Sequence, residues 1–119
     1  MYKIMIAEDD PFIRRLFTKV LQKNGYEIIE ATNGKEAVRL FDNLNEKPNL
    51  IIVDFKMPEV NGLEMTNEIL ERDPNTNIIM ITGDPKVNRN MVADKGIRFK
   101  SKPVKIDEFL EELQHLIHI

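Results

Sequence analysis

Six polar residues stand out by type and by what precedes them. Glu8, Asp9 and Asp10 follow an apolar run at residues 4–7, Asp54 follows one at 50–53, Thr82 one at 78–81, and Lys102 comes just after a weaker one at 97–99. If the first and third runs are neighbouring strands, Glu8, Asp9 and Asp54 converge, and carboxylates that close cannot all stay ionised unless a cation answers them. Their loops hold no His, and the chain holds no Cys, so an oxygen-only donor set favours Mg2+ or Mn2+ over zinc. A hard ion of that kind suits a phosphoryl substrate. Lys102 adds a mobile ammonium and Thr82 a hydroxyl donor, the groups needed to hold phosphoryl oxygens opposite the metal. Asp54, at the centre, is then the natural nucleophile, and its attack on an activated phosphoryl group gives an aspartyl phosphate. Each residue also has a plainer use: Asp10 as a helix cap, Asp54 as a turn residue, Thr82 as a partner for a loop amide, Lys102 as a solvated charge. Their convergence favours the chemical use.

The elements that must bring these residues together are short. Apolar runs at 4–7, 28–31, 50–53, 78–81 and 97–99 alternate with stretches of helical spacing. Four of the runs are Ile- or Val-rich and nearly continuous, as strands covered on both faces are. Ile13, Leu16, Phe17, Val20 and Leu21 follow helical spacing, as do Ala37, Leu40, Phe41 and Leu44. A third helix carries Leu63, Thr66, Ile69 and Leu70, and the last carries Ile106, Phe109, Leu110, Leu113, Leu116 and Ile117. The fourth helix, around residues 87–95, has the weakest pattern. Asp10 can cap a helix with Pro11 at its first position, and Asn33 with Glu36 resembles a capping box. Gly25 and Gly96 sit where helices would stop. This order predicts a (βα)5 doubly wound, open parallel sheet. Ligands of such sheets bind beyond the carboxyl ends of the strands, where all six residues stand.

Composition narrows the function classes. The 119 residues carry 17 Lys plus Arg against 20 Asp plus Glu, a formal net charge of −3, so there is no electrostatic footprint for nucleic acid or an anionic membrane. One compact domain over 1–119 is expected, and 42% hydrophobic residues can fill its core. The absence of Cys excludes disulfides and thiolate catalysis. No stretch reaches the roughly 18 apolar residues of a membrane span, and a cytoplasmic location is expected.

The sequence resembles the receiver domain of two-component response regulators over its whole length. The matching residues are the acidic pair Glu8 and Asp9, the segment Asp54-Phe55-Lys56-Met57-Pro58-Glu59-Val60-Asn61-Gly62, Thr82 after its apolar run, and Lys102-Pro103. The resemblance implies a flavodoxin-like sheet of order 2-1-3-4-5 and makes Asp54 the phosphoacceptor. It implies Asp9 as a direct Mg2+ ligand, Glu8 acting through a water, and the Lys56 carbonyl completing the protein ligands. Thr82 and Lys102 would bind phosphoryl oxygens, with backbone groups of Phe55, Lys56 and Gly83 beside them, and the Lys102–Pro103 peptide would be cis. Thr82 and Phe99 match the family's switch pair, by which phosphorylation would bias a surface of the fourth helix, fifth strand and fifth helix. An ordinary buried strand aromatic is the other reading of Phe99.

Four departures qualify the resemblance. Glu8 replaces the commoner Asp and should still reach the metal through water. Gly83 stands where Ala is usual, which keeps the close approach of a backbone amide. Lys56 and Asp84 flank the path of a hydrolytic water, and a bridge between them would slow loss of the phosphoryl group; two solvated side chains are the alternative. Phe99 lacks the hydroxyl of the commoner Tyr. Phe12, with Ile13 and Leu16, is the candidate contact for a sensor histidine kinase or histidine phosphotransferase, core burial being the alternative for Phe12. His115 and His118 suit interaction with a helix C-terminus better than metal binding.

The expected function is that of a stand-alone receiver: Asp54 accepts a phosphoryl group from a phosphohistidine with Mg2+, and the changed surface binds an unidentified downstream protein or relays the group onward. Such a chain is a substrate with self-phosphorylation and self-dephosphorylation activity, not a turnover enzyme, and is expected to be a monomer before phosphorylation. A receiver excised from a larger regulator or hybrid kinase would look the same. A haloacid-dehalogenase-like phosphohydrolase needs D-x-D-x-T, and Asp54-Phe55-Lys56 lacks the second Asp. A phosphorylation-independent binding module would have no use for Asp9, Asp54, Thr82 and Lys102 together.

Overall fold

A computed structural model describes residues 2–117 of the chain. Five parallel strands, β1 (Lys3–Ala7), β2 (Glu27–Ala31), β3 (Leu50–Asp54), β4 (Ile78–Thr82) and β5 (Arg98–Ser101), form one sheet in the order β2-β1-β3-β4-β5. Four helices, α1 (Pro11–Lys23), α2 (Gly34–Asn43), α3 (Gly62–Arg72) and α4 (Ile106–Ile117), connect and cover the strands. The sequence-predicted strands are all present within one or two residues at each end.

Strand alternation divides the core into two layers. Ile4, Ile6, Leu50, Ile52, Ile79 and Ile81 pack with Phe17 and Leu21 of α1 and with Phe109 and Leu113 of α4. Phe17 and Phe109 meet edge to face at 5.8 Å. Met5, Ile51, Val53, Ile78 and Met80 point the other way, onto Ala37, Val38 and Phe41 of α2 and Met65 and Ile69 of α3. Sequence spacing favoured Leu63 and Leu70 for the buried stripe of α3, but both are only half-buried; Met65 and Ile69 take the centre. The strands β1, β3 and β4 are buried on both faces as their continuous apolar runs require, whereas β2 lies at the sheet edge and keeps Ile28 and Ile29 half-exposed.

The predicted stops and starts hold. Asp10 accepts from the backbone N–H of Phe12 at 2.9 Å and of Ile13 at 3.3 Å, with Pro11 at the first helical position. Asn33 accepts from Glu36 N–H at 2.8 Å, and the Glu36 carboxylate reaches back to the N–H of Thr32 at 2.9 Å. Gly25, just after α1, has φ +90, the left-handed region where glycine bears no Cβ penalty.

The expected fourth helix is a correction. Between β4 and β5 the chain forms only two single-turn 3-10 helices, Arg89–Met91 and Ala93–Lys95. Its buried apolar residues are Val87, Val92 and Ile97, each five from the next, a spacing that fits no single α-helical face. The Asn88 side chain accepts from Asn90 N–H at 3.0 Å, a local bond that favours a turn over a helix. His115 is exposed in the last turn of α4; His118 lies outside the described residues. Among the described residues no helix is long and apolar enough to cross a membrane.

Candidate functional site

Register and alternation together explain how the acids meet. Ile4 pairs with Leu50 and Ile6 with Ile52, so one step beyond the paired residues Glu8 and Asp54 emerge side by side on the α1 and α4 face of the sheet. Both are buried, Glu8 4% and Asp54 8% exposed, while Asp9 is exposed. Glu8, Asp9 and Asp54 each offer a carboxylate oxygen, and these oxygens lie within 4.8 Å of one another. Lys102 joins them from beyond β5: its Nζ is 3.4 Å from Asp54 Oδ2 and 3.6 Å from Glu8 Oε1. The Lys102–Pro103 peptide is cis, as the family resemblance implies. An open cavity of about 580 Å3 is lined by Glu8, Asp9, Asp54, Thr82, Gly83 and Lys102, and also by Lys56 and Asp84.

Crowding these acids has an electrostatic consequence. Burial, a hydrogen bond to Asp54 and the Asp54 charge together push the Glu8 carboxyl up to about 8; the Asp10 N–H and the Lys102 ammonium oppose them. One ammonium is thus too little positive charge for three carboxylates, and a proton takes up part of the excess. A donor set made only of carboxylate oxygens, short of positive charge and open to solvent through Asp9, fits a hard divalent cation.

The floor of the site is built by a close approach. The N–H of Gly62 donates to the Phe55 carbonyl at 2.7 Å, and a Cβ on Gly62 would stand 2.6 Å from the Asp54 carbonyl oxygen and 2.7 Å from Phe55 Cα. Only glycine lets the first turn of α3 rest on the main chain of Asp54. The N-cap Asn61 accepts from Glu64 N–H at 2.9 Å, and the Thr66 hydroxyl donates to the Gly62 carbonyl at 2.7 Å. At Gly34, the start of α2, a Cβ would meet the carbonyl of Val60, from the loop between β3 and α3, at 2.9 Å.

Thr82 and Phe99 belong to the opposite face. Thr82 is buried and accepts from Asp84 N–H at 3.0 Å, leaving its own proton free to donate elsewhere. Phe99 is half-buried against the α2 and α3 layer, with the Arg89 guanidinium carbon 5.9 Å from its ring centroid. An open cavity of about 480 Å3 separates the two, lined also by Val87 and Arg89. Phe99 is thus neither a fully buried core aromatic nor a free surface one.

Two expectations about individual groups need correction, and one alternative reading falls away. The Lys56–Asp84 bridge is not formed among the described residues; Asp84 instead accepts from the N–H of Lys86 at 2.9 Å, and a carboxylate turned into its own loop is not free to reach across the cavity. The Phe55 N–H donates to the Ile81 carbonyl at 3.2 Å and is taken up by the sheet, whereas the Lys56 N–H faces Asp54 Oδ1 at 3.4 Å. Core burial of Phe12 is excluded, since it is 77% exposed; Leu16 is 46% exposed and Ile13 half-buried.

Sequence reasoning missed two features here. An apolar groove of about 430 Å3 runs beside the site, where Ile13, Leu16 and Phe17 of α1 face Pro103, Val104 and Ile106; the sequence marked its α1 wall, and the apolar residues after Lys102 were the only signal of the other. Arg14 donates to the main-chain carbonyl of Glu8 at 2.8 Å, and no motif marks it.

The family model for the response regulator receiver domain matches residues 4–114. The response regulator receiver protein CpdR of Brucella abortus is 33% identical, the alignment covering 98% of both chains. The response regulator protein TrrA of Thermotoga maritima, solved in complex with Mg2+-BeF, superposes with a TM-score of 0.87 at 33% identity, over 98% of this chain and 99% of that one. The complex of histidine kinase ThkA with TrrA gives a TM-score of 0.83 at 31% identity, over 98% and 99% of the respective chains.

Proposed function

This chain belongs to the response regulator receiver family of two-component signalling, and from that premise we propose that it accepts a phosphoryl group from a phosphohistidine on Asp54 and passes the change to its surface. The observation that carries the reading is the placement of the Asp54 carboxylate: buried at the carboxyl end of a central strand, beside two further acids and 3.4 Å from a lysine ammonium. The chain's own catalysis is limited to loading and unloading its own aspartate.

Glu8, Asp9, Asp54 and the Lys56 carbonyl would hold Mg2+, with Mn2+ as a substitute, Glu8 acting through a water. Bound there, the ion neutralises charge on the oxygens of the transferring group. Asp54 attacks phosphorus in line; its O–P bond forms as the N–P bond to the donor imidazole breaks. Lys102, now shared between Asp54 and Glu8, turns to the new phosphoryl oxygens, and the N–H groups of Lys56 and Gly83 donate to them. The Thr82 hydroxyl swings toward the phosphoryl group, and Phe99 follows into the cavity between them. That movement alters the surface of residues 84–97, β5 and α4, where a downstream protein would bind.

The kinase or phosphotransferase would approach along α1. Exposed Phe12 and Leu16, half-buried Ile13 and the groove floored by Pro103, Val104 and Ile106 present an apolar surface that ends at the phosphoacceptor pocket, and a related receiver is known in complex with a histidine kinase. A cytoplasmic location follows from this partner. The test is intact mass after incubation with acetyl phosphate and Mg2+. A gain of roughly 80 Da, absent in Asp54→Asn and with chelator, is expected. No gain, together with no binding of beryllofluoride, would reject the reading.

A further inference from the structure

Glu8 is held through the main chain on both sides of its Cα. The Glu8 N–H donates to the Ala31 carbonyl of β2 at 3.1 Å. The Glu8 carbonyl accepts from Arg14 Nη1 at 2.8 Å. That same guanidinium donates through Nε to Glu30 Oε1 at 3.1 Å, and Arg15 Nη1 donates to the other Glu30 oxygen at 3.2 Å. The Arg14 side chain is only 13% exposed and that of Glu30 25%, so the pair is largely shielded and its geometry is set by packing as well as charge.

The placement matters because of what the Glu8–Asp9 peptide joins. The Glu8 carbonyl and the Asp9 N–H belong to one rigid plane, and the side chains on either side of it are two of the three acids of the cluster. Rotation of that plane would move both carboxylates at once. We propose that Arg14, anchored by Glu30, is a positioning residue for the cation site: it fixes the Glu8–Asp9 peptide so that both acids face Asp54. The proposal rests on the reading of Glu8 and Asp9 as residues that hold the ion.

Electrostatics and positioning predict opposite signs for loss of Arg14. The guanidinium is a positive charge near an acidic cluster, so removing it should tighten cation binding if charge alone acts. If positioning acts, removal loosens the peptide and weakens binding, as loss of a partner that orients a metal ligand does. Glu30→Gln keeps the guanidinium and weakens its anchor; charge and positioning both lower affinity there, so the sign at Arg14 separates the two, and Glu30→Gln tests only whether the anchor matters at all.

Calorimetric titration of the full chain with MgCl2 at fixed ionic strength provides the test, with melting in the absence of Mg2+ as the control for folding. The wild type is expected to bind one ion and Asp9→Asn none; a wild type that binds no Mg2+ would overturn the cation reading and this inference with it. Arg14→Met is expected to raise the Mg2+ dissociation constant about tenfold, Glu30→Gln by a smaller factor, and Arg14→Lys to recover part of the loss, because a single ammonium can serve the Glu8 carbonyl but not both partners. The Asp9 amide 15N resonance should shift in Arg14→Met, since its peptide loses the hydrogen bond on the carbonyl side. Unchanged or tighter Mg2+ binding by folded Arg14→Met, with wild-type binding intact, would overturn the positioning role alone. Should Arg14→Met fail to fold, wild-type affinity in Glu30→Gln would overturn it equally.

Discussion

The two sides of the pocket are built differently. On the β1 and β3 side all but Asp9 are fixed from several directions: Glu8 and Asp54 are buried, the Glu8 main chain is tied to β2 and α1, and Gly62 rests on the Asp54 main chain. On the β4 and β5 side the connection is two 3-10 turns, Gly83 is exposed, and Phe99 is held by half-burial and one cation–π contact. Tight packing resists substitution, and few buried contacts allow local opening. The protein thus places the Asp54 and Glu8 carboxylates where packing is tight and its candidate switch where movement costs little.

The strongest way to break this contrast is a methyl group on each side. Gly62→Ala puts Cβ 2.6 Å from a backbone oxygen and is expected to cost about 2–3 kcal/mol of stability, the range of overpacking strain, and to depress labelling of Asp54; denaturant melts and intact mass check both. Gly83→Ala meets Lys102 Cβ at 3.6 Å, an ordinary contact, and should change stability by less than about 0.5 kcal/mol. Equal costs at the two glycines would erase the distinction.

A pH titration sharpens the acid side. Glu8 has its carboxyl pushed up from 4.5 to about 8 in the folded chain, so the folded state holds a proton that the unfolded state has released. That contribution is fully present below about pH 4.5, falls as pH rises, and is gone above about 8. Without Mg2+, stability should therefore decline across this window by an amount on the order of a few kcal/mol, and Glu8→Gln should flatten the decline. Mg2+ should stabilise most at the alkaline end and release protons on binding near pH 7. Melts in a pH series with and without Mg2+ read all three.

Smaller effects belong to the looser side. Arg89→Ala removes the cation–π contact to Phe99 and should cost no more than about 0.5–1 kcal/mol, while broadening the Phe99 ring signals if the ring then moves more. The smallest effect is expected for Lys56 and Asp84: with no bridge formed, a double-mutant cycle should give a coupling energy under about 0.5 kcal/mol, and phosphoprotein decay should follow the same additivity.

The same contrast explains what the sequence could and could not reveal. Runs such as Leu50–Asp54 announce a buried parallel strand because both faces must be apolar, and the acids after them mark the site edge. Asp10, Asn33 and Gly25 announced their caps because capping is local chemistry. The segment at 84–97 failed because a helix was inferred from order alone, where Val87, Val92 and Ile97 anchor a turn-rich path instead. Arg14 and Glu30 were silent for another reason: a side chain bonded to a backbone carbonyl leaves no residue type on the acceptor side to read. The Lys56–Asp84 expectation used charge sign without direction, and the direction was set by the Asp84 loop.

The division of the core into two layers reaches beyond stability. Phe12 and Leu16 rise from the helix layer that Phe17 and Phe109 lock together, whereas Phe99, Val87 and Val92 belong to the layer behind the sheet. The sheet stands between the residues that would choose a donor and residues 87–99 of the candidate target surface, while α4, locked to α1, shares the donor's layer. Substitutions at residues 87–99 can therefore change one surface without touching Phe12 and Leu16, whereas a change at Phe109 is felt through Phe17 by both.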